Sequence, residues 1–316
     1  MGNNIDILKD KIWIPGSQGM LGSALVRNLQ SKGINNFIAS SRKDLDLSDI
    51  NSVKYFYKKE KPEIVILSAA KVGGIYANNK YPADFITDNL NIQFNVISLA
   101  KEFQVKKLVF IGSSCIYPKE CPQPIKEEYL LTGPLEVTNE YYAIAKIAGI
   151  KMCEAYRKQY NCNFISVMPT NLYGPNDNFD PKNSHVIAAL LSRFHKAKTE
   201  NSNTVEVWGS GKPRREFLHV DDLAEAIIFL TQNYSDISLI NVGTGKDLSI
   251  LELAKAIQKT VGYQGEIKLN DTYPDGTYQK LLDLNKIHKL GWKHKIDLEE
   301  GLALYYKWYL NNVADE

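Results

Sequence analysis

The 316-residue sequence has no long apolar run and no large excess of charge of one sign. No apolar stretch reaches about 18 residues, the length that spans a bilayer, so we expect no membrane-spanning helix. The first residues, MGNNIDILKDK, lack the apolar core of a secretory signal. The formal net charge is only +2, without a long run of one sign, which argues against a nucleic-acid-binding surface. These absences predict a cytoplasmic protein whose partners are neither membranes nor nucleic acids.

Cysteine is also scarce. The four cysteines are Cys115, Cys121, Cys153 and Cys162, and their spacing forms neither a CxxC pair nor a zinc-ligand pattern. In a chain long enough to bury large cores, unpaired cysteines are typical of a reducing compartment. We therefore expect free thiols and no metal site.

Short apolar runs that alternate with helical patterns fill the first half of the chain. The runs cover residues 11–15, 37–41, 64–68, 108–111 and 164–167, and residues 239–242 form one more. Each is almost continuously apolar, as expected for a parallel strand that is buried on both faces. Between the first two runs, Leu21, Leu25 and Leu29 recur every fourth residue and indicate an amphipathic helix. The alternation predicts an α/β fold with a Rossmann-type doubly wound parallel sheet.

A second lobe is expected after Pro169, where Asn, Pro, Gly and Arg become frequent. We expect residues 1–171 and about 217–243 to form the Rossmann domain. Residues from about 172 to 216 and from 244 to 316 would then form a smaller α+β C-terminal substrate lobe. The two lobes would be interleaved along the chain.

The segment GSQGMLG, residues 16–22, follows the first apolar run and precedes the first helical pattern. A helix N-terminus carries free N–H groups and a partial positive charge, so it binds a pyrophosphate if the backbone can come close. Gly16 allows the tight turn, Gly19 removes the side chain that would meet the phosphates, and Gly22 lets the helix pack on the sheet. A plain tight turn is the alternative, but the flanking strand and helix favour dinucleotide binding.

Arg42 lies twenty residues beyond Gly22, at the end of the second apolar run. NAD sites usually keep an acid at this place, where it holds the ribose diol. A guanidinium instead matches the geometry of a phosphate, and Lys43 can add charge. The two cations therefore favour NADP(H) over NAD as the cofactor; the alternative is that both are solvated loop residues.

The segment NEYYAIAKIAG, residues 139–149, places Tyr142 and Lys146 four apart on one helix face. A nearby ammonium stabilises a phenolate and lowers the pKa of a tyrosine, which makes Tyr142 a usable general acid for a carbonyl oxygen that receives hydride. Ser113 follows the fourth apolar run, at the sheet edge where ligands bind, and its hydroxyl can hold the same oxygen. YxxxK alone is common, but together with Ser113 and the glycine loop it predicts a carbonyl-reducing site.

These motifs together resemble the extended short-chain dehydrogenase/reductase family over essentially the whole chain, and longer stretches resemble its GDP-L-fucose synthases. The stretches are AAKVGGI (69–75), ANNKYPADF (77–85), GSSCIYPK (112–119), PTNLYGPNDNF (169–179), NSHV (183–186), WGSG (208–211), RREFLHVDD (214–222) and PDG (274–276). The resemblance implies an NADPH-dependent enzyme that converts GDP-4-keto-6-deoxy-D-mannose to GDP-L-fucose. Such an enzyme first epimerises C3 and C5 of the hexose and then reduces the C4 ketone by hydride transfer.

The resemblance also implies how the proton transfers are divided. Cys115 is the base and His185 the acid that invert C3 and C5, which are acidic because the C4 ketone delocalises the carbanion as an enolate. Ser113 and Tyr142 hold the enolate oxygen, and Tyr142 later protonates it. Positive neighbours lower the pKa of a thiol, and Lys146 and His185 can supply that field. Judged from the residues alone, Cys115 is equally well an apolar filler and His185 a hydrogen-bonded bystander.

The same resemblance assigns the residues that bind the two ligands. The cofactor-binding residues are Gly16, Ser17, Gln18, Gly19, Met20, Leu21, Gly22, Arg42, Lys43, Asp46, Leu47, Ile111, Ser113, Ser114, Lys146, Pro169, Thr170, Asn171, Leu172 and His185. The substrate-binding residues are Arg193, Trp208, Arg215 and Asp275. The alternatives are a core position for Trp208 and a simple turn at Asp275. Some relatives have an arginine where this chain has Gln18, so a preference for NADP would depend mainly on Arg42.

The family also suggests a homodimer that pairs two long helices, at about 89–104 and 140–160. Two other functions stay open. A neighbouring nucleotide-sugar epimerase or reductase would act on another base or hexose. The run Ser113-Ser114-Cys115 offers no carboxylate where dehydratases of the family carry Thr-Asp-Glu, so dehydration is disfavoured. A binding module that has lost its chemistry usually lacks the tyrosine or the lysine, and both are present here.

Overall fold

The computed structural model describes residues 5–180, 184–273 and 275–314. Parts of the sequence predictions lie outside these ranges: the two ends of the predicted lobes, Asn183 of NSHV and Pro274 of PDG. The strands are β1 (Ile12–Pro15), β2 (Phe37–Ser40), β3 (Ile64–Leu67), β4 (Lys107–Ile111), β5 (Phe164–Pro169), β6 (Asn171–Tyr173), β7 (Thr204–Trp208), β8 (Arg214–His219), β9 (Ile240–Val242), β10 (Asp247–Ser249), β11 (Glu266–Asn270) and β12 (Gln279–Lys280). The α-helices are α1 (Met20–Ser31), α2 (Ile50–Glu60), α3 (Ile75–Lys80), α4 (Pro82–Glu102), α5 (Glu140–Tyr160), α6 (Val186–Thr199), α7 (Val220–Asn233), α8 (Ile250–Val261), α9 (Asn285–Lys289) and α10 (Leu298–Asn312).

Six strands form one parallel sheet in the order β2-β1-β3-β4-β5-β9. Strands β1, β3, β4 and β5, in the middle of this order, are buried along their whole length, because helices cover both faces of the sheet. Helix α1 packs against α7, and α4 packs against α2 and α5. The strand order reverses between β1 and β3, and α/β sheets bind ligands beyond the carboxyl ends of the strands at such a point. The Rossmann-type doubly wound sheet that the sequence predicts is confirmed.

A second, smaller hydrophobic core lies beside the sheet and is rich in aromatic residues. Helices α6, α8 and α10 pack around it, and its buried side chains include Tyr173, Phe194, Tyr263, Tyr305 and Tyr309. Strand β8 pairs with β6, β10 and β12 in this region, and β7 pairs with β11. The helices and short strands together give the α+β character expected of the second lobe.

The interleaved domain boundaries stay a prediction. Two cores exist, but the segment after β12 crosses the expected division: Leu282, Leu284, Ile287 and Trp292 belong to the core of the large sheet. The long helix expected at about 89–104 begins earlier, at Pro82, because proline is well tolerated in the first turn of a helix. In the described ranges, no helix combines the length and the apolarity needed to cross a bilayer.

Glu216, on β8, lies between the two cores. Its side chain is fully buried, and its carboxylate accepts hydrogen bonds from the backbone N–H groups of Thr244 (2.6 Å), Gly245 (2.7 Å) and Leu282 (3.0 Å). Burial raises the pKa of this carboxyl group, and the three N–H donors oppose that shift. Its backbone carbonyl accepts a hydrogen bond from the side chain of Asn171 at 2.8 Å, which holds β8 beside the carboxyl end of β5.

His219 ends β8 and caps helix α7, since its Nδ1 accepts the backbone N–H of Asp221 at 3.3 Å. The imidazole is 1% exposed, and its Nε2 has no hydrogen-bond partner in the part of the chain that the structure describes. Burial lowers the pKa of His219 below its ordinary value, while Asp221 and Asp222 oppose the shift.

We expect His219 to make the fold less stable in mild acid. Because its pKa is lower in the folded chain, the unfolded chain binds more protons, and the free energy of unfolding falls as the pH drops through about 6.5. Each unit of difference in pKa corresponds to about 1.4 kcal/mol. His219→Asn keeps a capping side chain but removes the titration. Urea unfolding between about pH 5 and pH 8 should therefore show a flatter stability profile for the variant, and an unchanged slope would contradict this.

Candidate active site

A cavity of about 1120 Å³ opens beyond the carboxyl ends of the parallel strands, between the two cores. Every predicted site residue lines it except Ser17 and Lys43. The backbone N–H of Ser17 donates to the carbonyl of Ser40 at 3.1 Å, which ties this residue to β2 instead. The backbone N–H of Lys43 donates to the Ser41 hydroxyl at 3.2 Å, in the turn after β2. The structure thus brings residues from both halves of the sequence to one site.

The glycine loop forms a cradle at the N-terminus of α1. Gly16 has a φ of +86°, and a Cβ there would lie 2.7 Å from the Ala69 backbone, so a side chain is excluded. A Cβ on Gly22 would lie 2.1 Å from the Gly16 carbonyl oxygen; this glycine packs on the loop itself, whereas the sequence analysis expected contact with the sheet. A Cβ on Gly19 would lie no closer than 3.5 Å to any other atom, the nearest being the Gly16 carbonyl oxygen. The loop backbone therefore faces the cavity at Gly19, and this shape fits a dinucleotide pyrophosphate.

Arg42 stands on the turn that follows β2, beside this cradle. Asp44 accepts hydrogen bonds from the backbone N–H (2.8 Å) and the hydroxyl (2.6 Å) of Ser41, and these bonds shape the turn. Arg42 is exposed and interacts electrostatically with Asp46, whose pKa is lowered mainly by the hydroxyl of Ser48. The side chains at this end of the cavity can hold a phosphorylated ribose, with Arg42 as the cation.

Tyr142, Lys146 and Ser113 meet at the end of β4. The ammonium group of Lys146 donates to the backbone carbonyl of Ile111 at 2.9 Å, and burial lowers its pKa to about 8. Burial raises the pKa of Tyr142 well above its ordinary value; negative charge on Cys115 adds to the shift, and a hydrogen bond with Ser113 opposes it. The expectation that Lys146 lowers the pKa of Tyr142 is therefore wrong here, because that ammonium is turned to the Ile111 carbonyl. A high pKa keeps the phenol protonated, which is the form that a general acid requires.

Cys115 lies two residues after Ser113, in a short 3-10 helix that Ser113 caps at the end of β4. Its sulfur accepts a hydrogen bond from the side-chain amide of Asn139 at 3.4 Å. The sequence analysis expected Lys146 and His185 to supply positive charge near this thiol. In the structure Arg215, a half-buried side chain whose pKa is lowered by burial, interacts electrostatically with Cys115.

His185 reaches the same cavity from the second lobe. It is the residue before the first turn of α6, and its side chain is exposed. It interacts electrostatically with Asp177, a carboxyl group whose pKa is raised by burial. The carboxylate of Asp177 also accepts a hydrogen bond from the hydroxyl of Tyr305 at 3.1 Å. A thiol, an imidazole and a phenol thus face one space, which is the arrangement that proton transfer to and from a hexose needs.

The predicted substrate-binding residues lie on the second-lobe wall. Arg193, on α6, stacks on Trp208 with its guanidinium carbon 4.0 Å from the ring centre. The two carboxylate oxygens of Asp275 accept the backbone N–H (3.0 Å) and the hydroxyl (2.6 Å) of Ser210. In this structure Asp275 therefore joins its own loop to the loop of Ser210, which neither sequence alternative expected.

Sequence reasoning missed several residues of the cavity wall. Asn139, which contacts Cys115, comes three residues before Tyr142 and could have been found from its place one helical turn away. Glu136 forms an ion pair with Lys119 at 3.2 Å and interacts electrostatically with Lys280. Lys119 ends the segment GSSCIYPK, and Lys280 lies four residues after PDG. Nothing in the sequence near either lysine indicates that both line the same cavity wall.

The model of the NAD dependent epimerase/dehydratase family matches residues 12–243. The chain belongs to this family. Within it, GDP-L-fucose synthase 1 of Arabidopsis thaliana is 54% identical and the alignment covers 100% of this chain and 98% of that protein. GDP-L-fucose synthase of Escherichia coli (strain K12) is 53% identical, with 96% and 98% covered. The predicted resemblance to GDP-L-fucose synthases is confirmed.

A solved structure in the same family is also closely similar. It is a GDP-mannoheptose C4 reductase of Campylobacter jejuni with NADP bound, 43% identical, with a TM-score of 0.87 and coverage of 96% of this chain and 99% of that one. This family member is named for a reduction alone.

Proposed function

We propose that this protein converts GDP-4-keto-6-deoxy-D-mannose to GDP-L-fucose, by epimerisation at C3 and C5 followed by reduction of the C4 ketone with NADPH. The observation that carries the proposal is the meeting of Cys115, His185 and Tyr142 in one cavity beside the glycine cradle. The full-length similarity to GDP-L-fucose synthases supports the same reaction.

NADP(H) is the cofactor that the site fits. The glycine cradle would accept a pyrophosphate, Arg42 would bind the 2′-phosphate, and a similar protein has been solved with NADP bound. When bound, the cofactor supplies the hydride that reduces C4. Lys146, whose ammonium donates to the Ile111 carbonyl, would bind the nicotinamide ribose and fix the position of Tyr142.

Epimerisation is the work of Cys115 and His185. The C4 ketone makes the protons on C3 and C5 acidic, and the sulfur of Cys115, beside the Arg215 cation, takes each of them in turn. His185 returns a proton to the opposite face of the carbon. Ser113 and Tyr142 hold the enolate oxygen through both inversions. Between the two inversions the half-buried Cys115 thiol releases its proton to water and the exposed His185 takes one up, so each inversion brings one solvent proton into the sugar.

Reduction uses the same oxygen-binding pair. As hydride reaches C4, the carbonyl oxygen becomes an alkoxide, and the Tyr142 phenol donates the proton that neutralises it. Ser113 keeps its hydrogen bond to Tyr142 and so aligns the donor. The cations of the second-lobe wall, Arg193 and Arg215, bind the diphosphate of the substrate.

A GDP-ketohexose C4 reductase without epimerase activity is the second candidate, favoured by the similarity to the Campylobacter jejuni reductase. The two functions differ at C3 and C5. Purified protein should oxidise NADPH, and NADH more slowly, when GDP-4-keto-6-deoxy-D-mannose is added. In D₂O the product should carry deuterium at both carbons and have the L-galacto configuration by NMR. Reduction without deuterium and with the manno configuration would support the reductase; no oxidation at all would contradict both.

We also propose that the protein works in the cytoplasm. All four cysteines are free thiols in the structure, including the half-buried Cys115. A reducing compartment keeps such thiols available, and the proposed role of Cys115 as a base requires a free thiol.

A homodimer through α4 and α5 is the assembly that we propose. These two helices pack side by side, and their outer surface carries Phe94 (51% exposed), Tyr141 (47%) and Ile144 (39%). Exposed apolar side chains that cluster in this way mark interaction surfaces. Ile144→Arg should halve the mass measured by light scattering. Leu304→Arg, at a 46% exposed leucine on α10, is the matched control and should leave the dimer intact; a wild-type monomer would contradict the proposal.

A further inference from the structure

Trp208 is covered on both ring faces by side chains from other parts of the chain. The guanidinium carbon of Arg193 lies 4.0 Å from the ring centre. The ring of Tyr273 stacks on the same indole, with 4.4 Å between centroids and 14° between planes. Two planar groups cannot share the same layer above one ring, so they cover opposite faces. Trp208 is therefore sandwiched between a cation from α6 and an aromatic ring from the loop after β11.

The edges of this stack are fixed as well. The indole N–H of Trp208 donates to the carboxylate of Glu206 at 2.9 Å, and the Arg193 guanidinium donates to the Glu206 backbone carbonyl at 3.4 Å. Trp208 remains 47% exposed, but what it offers to the cavity is an edge and not a face. A nucleobase therefore cannot stack on this tryptophan unless the sandwich opens.

Tyr273 forms the layer of the sandwich that is turned away from Arg193, lies outside the cavity lining, and has 41% of its surface exposed. Its loop is joined to the loop that follows Trp208 by the two hydrogen bonds from Ser210 to Asp275. These bonds lie two residues away from each of the stacked rings. The hydrogen bonds between these two loops thus keep the ring of Tyr273 stacked on Trp208.

We propose that Tyr273 is a positioning residue for the diphosphate of the substrate. By stacking on Trp208 it keeps the indole in place, and the indole in turn holds the Arg193 guanidinium flat on the cavity wall. The five N–H donors of a guanidinium lie in its plane, and the bond to Glu206 uses one of them, so the stacked orientation directs others along the wall toward phosphate oxygens. This inference rests on the proposed function, because it needs a nucleoside diphosphate sugar as the substrate.

The spacing along α6 agrees with such a ligand. Arg193 comes eight residues after His185 on one helix, which is about 12 Å along the helix axis. A nucleotide sugar can therefore reach His185 with its hexose and Arg193 with its diphosphate at the same time. Tyr273 acts only at the diphosphate end of this span, so its loss should affect binding and not the chemical steps.

Calorimetric titration with GDP alone tests the inference. We expect Tyr273→Ala to weaken GDP binding about 3- to 10-fold, and Tyr273→Phe, which keeps the ring, to stay within about twofold of wild type. Tyr278→Ala, at a 67% exposed tyrosine of the same loop, is the matched control and should bind like wild type. With the full substrate, Tyr273→Ala should raise KM by the same factor and leave kcat, the affinity for NADPH and the unfolding temperature unchanged.

Four results would overturn the inference, and they differ in what they say about the proposed function. If wild type binds GDP and Tyr273→Ala binds it equally well, or if Tyr273→Phe is as weak as Tyr273→Ala, the stack does not position Arg193, and the proposed function is untouched. If wild type binds no GDP, the proposed function fails and this inference fails with it. A variant that loses NADPH affinity together with GDP affinity would show a structural defect, which also contradicts a local positioning role.

Discussion

Cys115→Ser is expected to abolish deuterium exchange at C3 and C5, with kcat/KM for the overall conversion falling about 10²- to 10⁴-fold. A serine hydroxyl can keep the hydrogen bond that Asn139 donates to the sulfur at 3.4 Å, so the local geometry should survive. It cannot ionise near neutral pH, however, and so it cannot remove a proton from carbon. The measurement is NMR of the sugar in D₂O, with wild type and variant at equal concentration.

The decisive control for this variant is a substrate that no longer needs epimerisation. Cys115→Ser should reduce the preformed L-configured GDP-4-keto sugar at a rate close to that of wild type, and its affinity for NADPH should be unchanged. Cys121→Ser is the matched cysteine variant, because Cys121 is half-buried and lies outside the cavity lining. It should exchange deuterium like wild type. Unchanged exchange in Cys115→Ser would remove this residue from its proposed role.

Tyr142→Phe is expected to lower NADPH oxidation about 10²- to 10⁴-fold, even with the preformed L-configured ketone. The ring packs edge-on against Phe85, 6.3 Å between centroids, and phenylalanine keeps this contact. What is lost is the proton donor for the C4 oxygen, since burial raises the pKa of Tyr142 and keeps its hydroxyl protonated in the native protein. Deuterium exchange should slow as well, because the enolate oxygen loses one of its two hydrogen-bond donors.

Comparison of the two variants separates the two halves of the reaction. The preformed ketone should rescue Cys115→Ser and should not rescue Tyr142→Phe. Tyr141→Phe, at the neighbouring exposed tyrosine, should behave like wild type in both assays. If Tyr142→Phe keeps more than about a tenth of the wild-type rate with the preformed ketone, another group supplies the proton, and the proposed reduction step is wrong.

Much of the fold could be predicted because its signals are local. The continuous apolar runs and the leucines at every fourth residue lie within windows of a few residues, and they led to the correct sheet and first helix. The glycine loop could also be predicted from its spacing and its flanking strand and helix, although Gly22 packs on Gly16 and not on the sheet. Boundaries were less certain: α4 begins at Pro82, several residues before the start at about 89 that the family resemblance suggested.

The error about Lys146 has a different origin. The spacing of Tyr142 and Lys146 correctly puts them on one helix, with the ammonium 5.8 Å from the phenol ring centre. Spacing says nothing about desolvation or about a competing acceptor, and both act here. Lys146 is buried, Tyr142 is half-buried, and the ammonium donates its hydrogen bond to the Ile111 carbonyl. The direction of a pKa shift depends on such surroundings, which come from distant parts of the chain.

Residue types and short-range order in this chain were enough to establish a parallel α/β sheet, a dinucleotide loop and a tyrosine–lysine pair, because each depends on neighbours within one or two helical turns. Folding in three dimensions decided which cation faces Cys115, that Asn139 donates to its sulfur, that Glu216 binds three backbone amides between the cores, and that Tyr273 covers Trp208. These contacts join residues that are 24 to 100 positions apart, and the residue type at one position does not indicate its partner at such a separation.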